Sequence, residues 1–277
     1  MTNNYEIITS RANPTVKWAA SLKEKKHRGE EKCFLAEGIK LTLEAIKSGL
    51  SVSHIFLSQD KSDKYLPLLE EALTNSNSAS VRILLLGEGI IEKISTEKAP
   101  DGAISVIKYL DFFKRTDIIY KEEFLLDEDS RAIALCSVRD PSNLGSVIRS
   151  AVAFGAEHIL LSSDCADIYN PKTVRSAMGS LFRIKITRIG DFSSLVDYLH
   201  SKGRRVYAAE LRDGAVALSD VSLSRRDLFV IGNEGHGIPE EVSALCDGSV
   251  YIPISSKTES LNASVAAAVF MWEQSKL

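Results

Sequence analysis

The 277-residue sequence contains no apolar run near the roughly 20 residues that a membrane span requires, so no transmembrane segment is expected. Met1 to Glu6 are polar and lead into no apolar core, so no secretory signal is expected either. Cysteine is scarce. Cys33, Cys136, Cys165 and Cys246 are scattered, with no C-x-x-C pair, which argues against a zinc site or a disulfide framework and fits a reducing cytoplasm. The histidines, His27, His54, His158, His200 and His236, are equally dispersed, so no metal is expected. A net basic charge is lacking as well. The 34 Lys and Arg face 37 Asp and Glu, giving −3, and overall charge therefore does not mark the chain as a nucleic-acid binder. Internal repeats and low-complexity segments are absent.

What is present suits two domains with ordinary cores: the length is generous for one, and 44% of residues are hydrophobic. The division expected is 1–109, a connector over 110–131, and 132–277. In the first part, Asn13-Pro14 starts a helix that the pattern carries to Lys26. Phe34 to Ala36, His54 to Leu57, Val81 to Leu86 and Ala103 to Lys108 read as strands. Ile39 to Ser48, closed by Gly49, and Tyr65 to Thr74 read as helices. Asn75 to Ser80 reads as a loop, and Tyr109 to Arg131 as a partly helical connector. Charge is uneven here. Arg11, Lys17, Lys23, Lys25, Lys26, Arg28 and Lys32 form a basic stretch that either contacts phosphates or is a solvated helix face.

From Ala132 onward short apolar strands alternate regularly with helices. The strands are Ala132–Val138, His158–Ser162, Arg183–Thr187, Val206–Leu211, Leu228–Gly232 and Val250–Ile254. The helices are Leu144–Phe154, Pro171–Leu181, Phe192–Lys202, Pro239–Cys246 and Asn262–Gln274. Such alternation implies an α/β fold with a mostly parallel sheet covered on both faces. Ligands in that architecture sit at the carboxyl ends of strands, which directs attention to the loops after Val138, Gly232 and Ile254.

The first loop, Asp140-Pro141-Ser142-Asn143-Leu144-Gly145, leads into a helix that Ser142 or Asn143 can cap and Gly155 can end. Leu144, Val147, Ile148, Ala151 and Val152 form its buried stripe. Ser142, Gly145, Ser146, Arg149 and Ala153 form a second face of small residues around one cation, able to grip a phosphate or carboxylate. The second loop, Gly232-Asn233-Glu234-Gly235-His236-Gly237, has the spacing G-x-x-G-x-G rather than the dinucleotide fingerprint G-x-G-x-x-G, so a nicotinamide enzyme is not supported. Glu234 is a candidate proton-handling or ligand-binding carboxylate; His236 is expected to be a bystander. In the third loop, Ile252 to Asn262, Ser260 or Asn262 caps an alanine-rich helix whose N-terminus suits an anionic group. Each loop alone also fits ordinary capping and packing.

Taken in order, the three loops resemble the SpoU (TrmH) family of RNA 2′-O-ribose methyltransferases, within the knotted SPOUT superfamily. The residues that carry this are Asp140-Pro141-x-Asn143-x-Gly145-x-x-x-Arg149 with Ala153-Phe154-Gly155, then Gly232-Asn233-Glu234-Gly235-x-Gly237. Ile252-Pro253 with Ser260-Leu261-Asn262-x-Ser264-Val265-Ala266 completes the set. Met178-Gly179 after Arg175 and Ser176 is similar too, while Ala263 and Ser180 depart slightly from the family pattern. The N-terminal part resembles a ribosomal-protein-like RNA-binding substrate domain through Arg11-x-Asn13-Pro14-x-Val16-Lys17, Phe34 to Gly38 and Pro100-x-Gly102.

The resemblance implies a deep trefoil knot in the C-terminal domain and homodimerisation through that domain. It implies S-adenosylmethionine as methyl donor, contacted by Gly232, Ile252 and Leu261, mainly through backbone groups. Asn143, Arg149, Glu234, Ser260 and Asn262 are implied around the reacting ribose. Arg149 is implied as the general base in family proposals; a guanidinium is a very poor base, and holding phosphate or stabilising alkoxide is the physical alternative. Ribosomal RNA is the implied substrate, because the family's transfer-RNA enzymes usually lack such an N-terminal domain. A transfer-RNA enzyme and a non-catalytic RNA-binding or ribosome-assembly protein of the same fold are the alternatives.

Overall fold

A computed structural model describes residues 5–76, 81–110, 113–116 (backbone only), 126, 129–233 and 235–277. The chain forms two compact units, Met1–Leu110 with Asp167–Phe182, and Asp111–Ala166 with Arg183–Leu277.

The first unit begins with a short strand that the apolar pattern did not reveal, β1 (Glu6–Ile8). Asn13 then caps α1 (Pro14–Ser21), its side chain accepting from Thr15 N and Val16 N, with Pro14 in the first turn where no amide hydrogen is needed. The expected single helix to Lys26 is broken. Glu24 is extended, and α2 (Lys25–Glu31) restarts after it. The break has a visible cause: the Arg28 side chain turns inward and donates to the Leu22 and Lys23 carbonyls at 3.0 and 2.6 Å, groups left without helical partners where α1 ends. There follow β2 (Cys33–Glu37), α3 (Ile39–Lys47), β3 (Val52–Ser58), α4 (Ser62–Thr74), β4 (Arg82–Leu86), α5 (Ile91–Ile94) and β5 (Ala103–Lys108). The sheet order is β1-β4-β3-β5-β2. β1, β4 and β3 run parallel, and β5 is antiparallel to both β3 and β2. Val16, Leu22, Leu35, Phe56, Leu84 and Ile104 are among its core residues.

Part of the basic stretch fits neither phosphate contact nor a solvated face and is structural. Arg28 is buried and pairs with Asp167 at 2.7 Å, and Lys23 donates to the Lys93 carbonyl at 2.7 Å. Lys17, Lys25, Lys26 and Lys32 remain exposed.

After Leu110 the chain enters the second unit. β6 (Phe113–Thr116) is a strand where the connector was expected to be partly helical; it finds an open parallel edge in a larger sheet. Next come β7 (Ala132–Leu135), α6 (Pro141–Ala153) and β8 (His158–Ser162). The chain then returns to the first unit for α7 (Pro171–Ser176) and a following turn. Tyr169 stacks on Tyr109 at 3.9 Å between ring centroids, its hydroxyl accepts from Leu110 N, and Arg175 pairs with Glu97. The helix expected to reach Leu181 stops early because Met178 and Gly179 take positive φ, +49° and +85°.

Back in the second unit lie β9 (Lys185–Ile189), α8 (Phe192–Ser201), β10 (Val206–Ala209), β11 (Val216–Ala217), β12 (Leu228–Ile231), α9 (Glu240–Ser243), β13 (Gly248–Tyr251) and α10 (Ala263–Ser275). The sheet order is β11-β13-β10-β12-β7-β8-β9-β6, and every pairing is parallel. The alternation of strands and helices thus predicts the architecture correctly. Ala134, Leu160, Leu195, Val206, Leu228 and Val230 lie in one core cluster on this sheet. From β7 the chain steps through β8 to β9 on one side, while β12 and β10 lie on the other. The strand order reverses at the β7–β12 boundary, where open parallel sheets bind ligands.

Candidate active site at the carboxyl edge of the parallel sheet

β7 and β12 end together. Leu135 is in register with Ile231, and Cys136 N donates to the Ile231 carbonyl at 2.8 Å. The loops that follow, Ser137–Asp140 and Gly232–Gly237, therefore leave the sheet side by side.

At the first loop, the cap of α6 is Asp140, not Ser142 or Asn143. Its carboxylate accepts from Asn143 N at 2.8 Å, and Pro141 occupies the first helical position. Ser142 and Asn143 consequently sit within the first turn. Leu144, Val147, Ile148 and Ala151 are buried as the spacing predicts, Val152 is only half-buried, and Gly145, expected on the other face, is buried. Arg149 is exposed, with no hydrogen bond or ion pair among the described residues. It stands six residues after Asn143, about 9 Å further along the helix axis.

The second loop is held by its own backbone. Asn233 and Gly237 exchange amide hydrogen bonds of 3.0 and 2.9 Å. A Cβ on Gly232 would lie 2.4 Å from the Gly237 carbonyl carbon, 2.6 Å from its oxygen and 2.7 Å from Ile238 N. Glycine at 232 is thus required first by the loop's closure on itself. The Asn233 side chain does three things. Its Nδ2 donates to the Ser137 carbonyl at 3.0 Å, and its Oδ1 accepts from Gly235 N and His236 N. Glu234, a candidate from the sequence, lies outside the described residues. His236 is exposed.

The third loop follows β13. Ile252 and Leu261 are half-buried, and Ser260 is exposed, its carbonyl accepting from the Thr258 hydroxyl. Of the two candidate caps, Asn262 is the one used: its Oδ1 accepts from Ser264 N at 3.0 Å and from Ser264 Oγ at 2.6 Å. Its Nδ2 donates to Asn143 Oδ1 at 3.0 Å. Two residues 119 apart in sequence, both candidates, are thereby brought into direct contact. Arg149 is not joined to either by a side-chain bond among the described residues.

The strands expected to reach Leu211 and Ile254 stop at Ala209 and Tyr251, which leaves both residues in loops at this edge. The loop after β10 lies between the loops of its neighbours β12 and β13. It presents Leu211, 77% exposed, while Ile254 past β13 is 39% exposed. Asp164, after β8, accepts from Ser162 Oγ, Ser137 Oγ and Arg139. Burial would raise its pKa, but these hydrogen bonds outweigh it and bring the carboxyl down to about 2, so it stays ionised near neutral pH. The signal for Asn233 was available, since an asparagine between glycines can tie a turn with its side chain.

Among the described residues no cluster of potential metal ligands occurs, and no helix is long and apolar enough to cross a membrane.

Residues 130–272 match the SpoU rRNA Methylase family, more than half of the chain. The chain belongs to that family. Residues 13–105 match the MRM3-like substrate binding domain. The SpoU-family relatives include the 23S rRNA (guanosine(2553)-2′-O)-methyltransferase RlmP of Bacillus subtilis, 30% identical over 96% of this chain and 97% of that protein. They also include the 23S rRNA (uridine(2479)-2′-O)-methyltransferase of Streptomyces viridochromogenes, 29% identical over 96% of this chain and 90% of that one. Among solved structures, the AdoMet-bound rRNA methyltransferase of Sinorhizobium meliloti superposes with a TM-score of 0.81. It is 27% identical and covers 99% of this chain and 98% of its own.

Proposed function

We propose that this protein transfers a methyl group from S-adenosylmethionine to a ribose 2′-hydroxyl of RNA, and that the RNA is ribosomal. The observation that carries the reading is the gathering of three separate loops at the carboxyl edge of β7, β12 and β13, locked by the Asn262–Asn143 bond. The full-length likeness to 23S rRNA 2′-O-methyltransferases supports the substrate.

The edge fits such a donor. It offers exposed apolar surface at Leu211 and Ile254 for a flat base, and turning backbone at Gly232, Ile252 and Leu261 for polar contacts. The donor supplies a methyl group on a sulfonium, already activated for attack. The protein's task is to align the ribose oxygen with that methyl and to ease loss of its proton. In this reading Arg149 holds the phosphate beside the reacting ribose and stabilises the oxygen as negative charge develops. A guanidinium is suited to that and badly suited to taking a proton. Asn143, Asn262 and Ser260 orient the ribose, and Glu234 completes the set. No metal has a role. The same reading carries a deep trefoil knot, supported by the insertion of β12 between β7 and β10 and by the return of α10 to α6. It also places the protein in the cytoplasm, where its four free thiols would stay reduced.

The first unit would grip the RNA, with Lys17, Lys25, Lys26 and Lys32 as the exposed cations available for phosphate. The protein would act as a homodimer through α10. That helix buries Ala263, Ala267, Phe270 and Met271 yet exposes Val265 and Trp272, at 48% and 52%, on its outer face. Trp272→Glu is expected to convert a dimer into monomers in sedimentation velocity; a wild-type monomer at micromolar concentration would remove this part of the reading.

The decisive experiment maps ribose methylation in cells with and without the protein. One 2′-O-methyl mark should vanish from ribosomal RNA. Unchanged ribosomal RNA with a lost mark in transfer RNA would overturn the substrate. Absence of any calorimetric binding of S-adenosylmethionine would favour an RNA-binding protein without activity.

A further inference from the structure

Ser137 has φ +58°, a conformation natural to glycine and strained for serine. It stands between the end of β7 and the cap of α6, and it is held there from two sides. Its Oγ donates to Asp164 Oδ2 at 2.7 Å, and its N donates to Ser162 Oγ at 2.9 Å. Ser162 Oγ in turn donates to Asp164 Oδ1 at 2.6 Å, and Arg139 closes on Oδ2 at 2.8 Å. The turn at Ser137 has one further consequence: its carbonyl accepts from Asn233 Nδ2 at 3.0 Å. Asn233 Oδ1 then accepts from Gly235 N and His236 N, while its backbone bridges to Gly237. A line of hydrogen bonds thus runs from the Asp164 carboxylate through Ser137 to Asn233, and from Asn233 to Gly235, His236 and Gly237.

We propose that Asp164, acting through Ser137, is a positioning residue that sets Gly232, Asn233 and Gly235–Gly237 against the methyl donor and so determines donor affinity. The proposal rests on the reading that this loop binds S-adenosylmethionine. Asp164 acts at one remove, through its bonds to Ser137, Ser162 and Arg139. Its carboxylate holds Ser137 in the left-handed conformation, and the Ser137 carbonyl then anchors Asn233. A charge-assisted bond at the root of the chain makes the device stiff. Without it, Ser137 would relax toward negative φ and swing its carbonyl away from Asn233.

The test uses the full chain with four variants: Asp164→Ala, Asp164→Asn, Ser137→Val, and the double variant Ser137→Gly with Asp164→Ala. S-adenosylmethionine affinity is read by calorimetry, RNA affinity with a ribosomal RNA fragment, and folding by thermal melting. Each single variant should weaken donor binding on the order of tenfold or more, with RNA affinity unchanged. The double variant should recover most of that loss, because glycine takes φ +58° without the carboxylate's help. A merely structural Asp164 would show no such recovery. If Asp164→Ala does not fold, Asp164→Asn and Ser137→Val test the same link from its two ends. Donor binding at wild-type strength in the single variants, or a double variant as weak as Asp164→Ala, would overturn the proposal. A wild-type protein that binds no donor would instead overturn the functional reading beneath it.

Discussion

Arg149→Ala should bind S-adenosylmethionine as the wild type does and transfer methyl about 10²- to 10³-fold more slowly. The expectation follows from where Arg149 stands. It is exposed on α6, unbonded among the described residues, and displaced along the helix from the Asn143–Asn262 contact. A cation so placed contributes nothing to the loops that would hold the donor, and its removal should leave calorimetric donor binding untouched. In the proposed reading it meets the RNA phosphate next to the reacting ribose and the charge that grows on the attacking oxygen. The loss should therefore fall on kcat more than on the donor KM. Arg149→Lys separates the physical alternatives. A point charge in place of a planar fork should recover part of the rate if charge stabilisation is the role, and little if bidentate grip of phosphate is essential. Single-turnover transfer to a ribosomal RNA fragment measures both. Near-normal turnover by Arg149→Ala would remove the residue from the active site.

Gly232→Ala should act on the other half of the reaction. The added methyl would meet Gly237 backbone at 2.4 to 2.6 Å, and backbone within a bridged loop cannot move aside as a flexible side chain could. The loop must open, breaking the two amide bonds between Asn233 and Gly237. Overpacking of this kind costs about 1–3 kcal/mol, so donor affinity should fall roughly 10- to 100-fold and the melting temperature by a few degrees. Gly237→Ala is the matched comparison. Nothing lies within 4 Å of its Cβ position, and only its φ of +68° resists the change. Its loss should be the smaller of the two. A Gly232→Ala loss no larger than that of Gly237→Ala would show that the loop relieves the close approach at 232 by a small shift.

Much of this molecule is legible in its sequence because the signals are local. Alternating apolar strands and amphipathic helices from Ala132 onward predict a parallel sheet, and the sheet is there. Asn13-Pro14 predicts the start of α1 by capping alone, and the stop at Gly49 follows from its positive φ. The three loops carry enough unusual residues, in a fixed order, to identify the family. Where local signals ran out, long-range contacts decided. The helix expected through Lys26 breaks because Arg28 turns back onto carbonyls and pairs with Asp167, 139 residues away. β6 exists because β9 offers an edge. The cap of α6 moved to Asp140 because proline favours the first helical position and a carboxylate reaches the free amides.

The site shows the same division. The family resemblance named Asn143, Arg149, Gly232 and Asn262 as site candidates, one loop at a time. Only the tertiary structure could place β12 beside β7, join Asn262 to Asn143, and route Asp164 through Ser137 to Asn233. Hydrogen bonds of that kind depend on strand order, and strand order is set by the packing of the whole sheet rather than by any run of neighbouring residues.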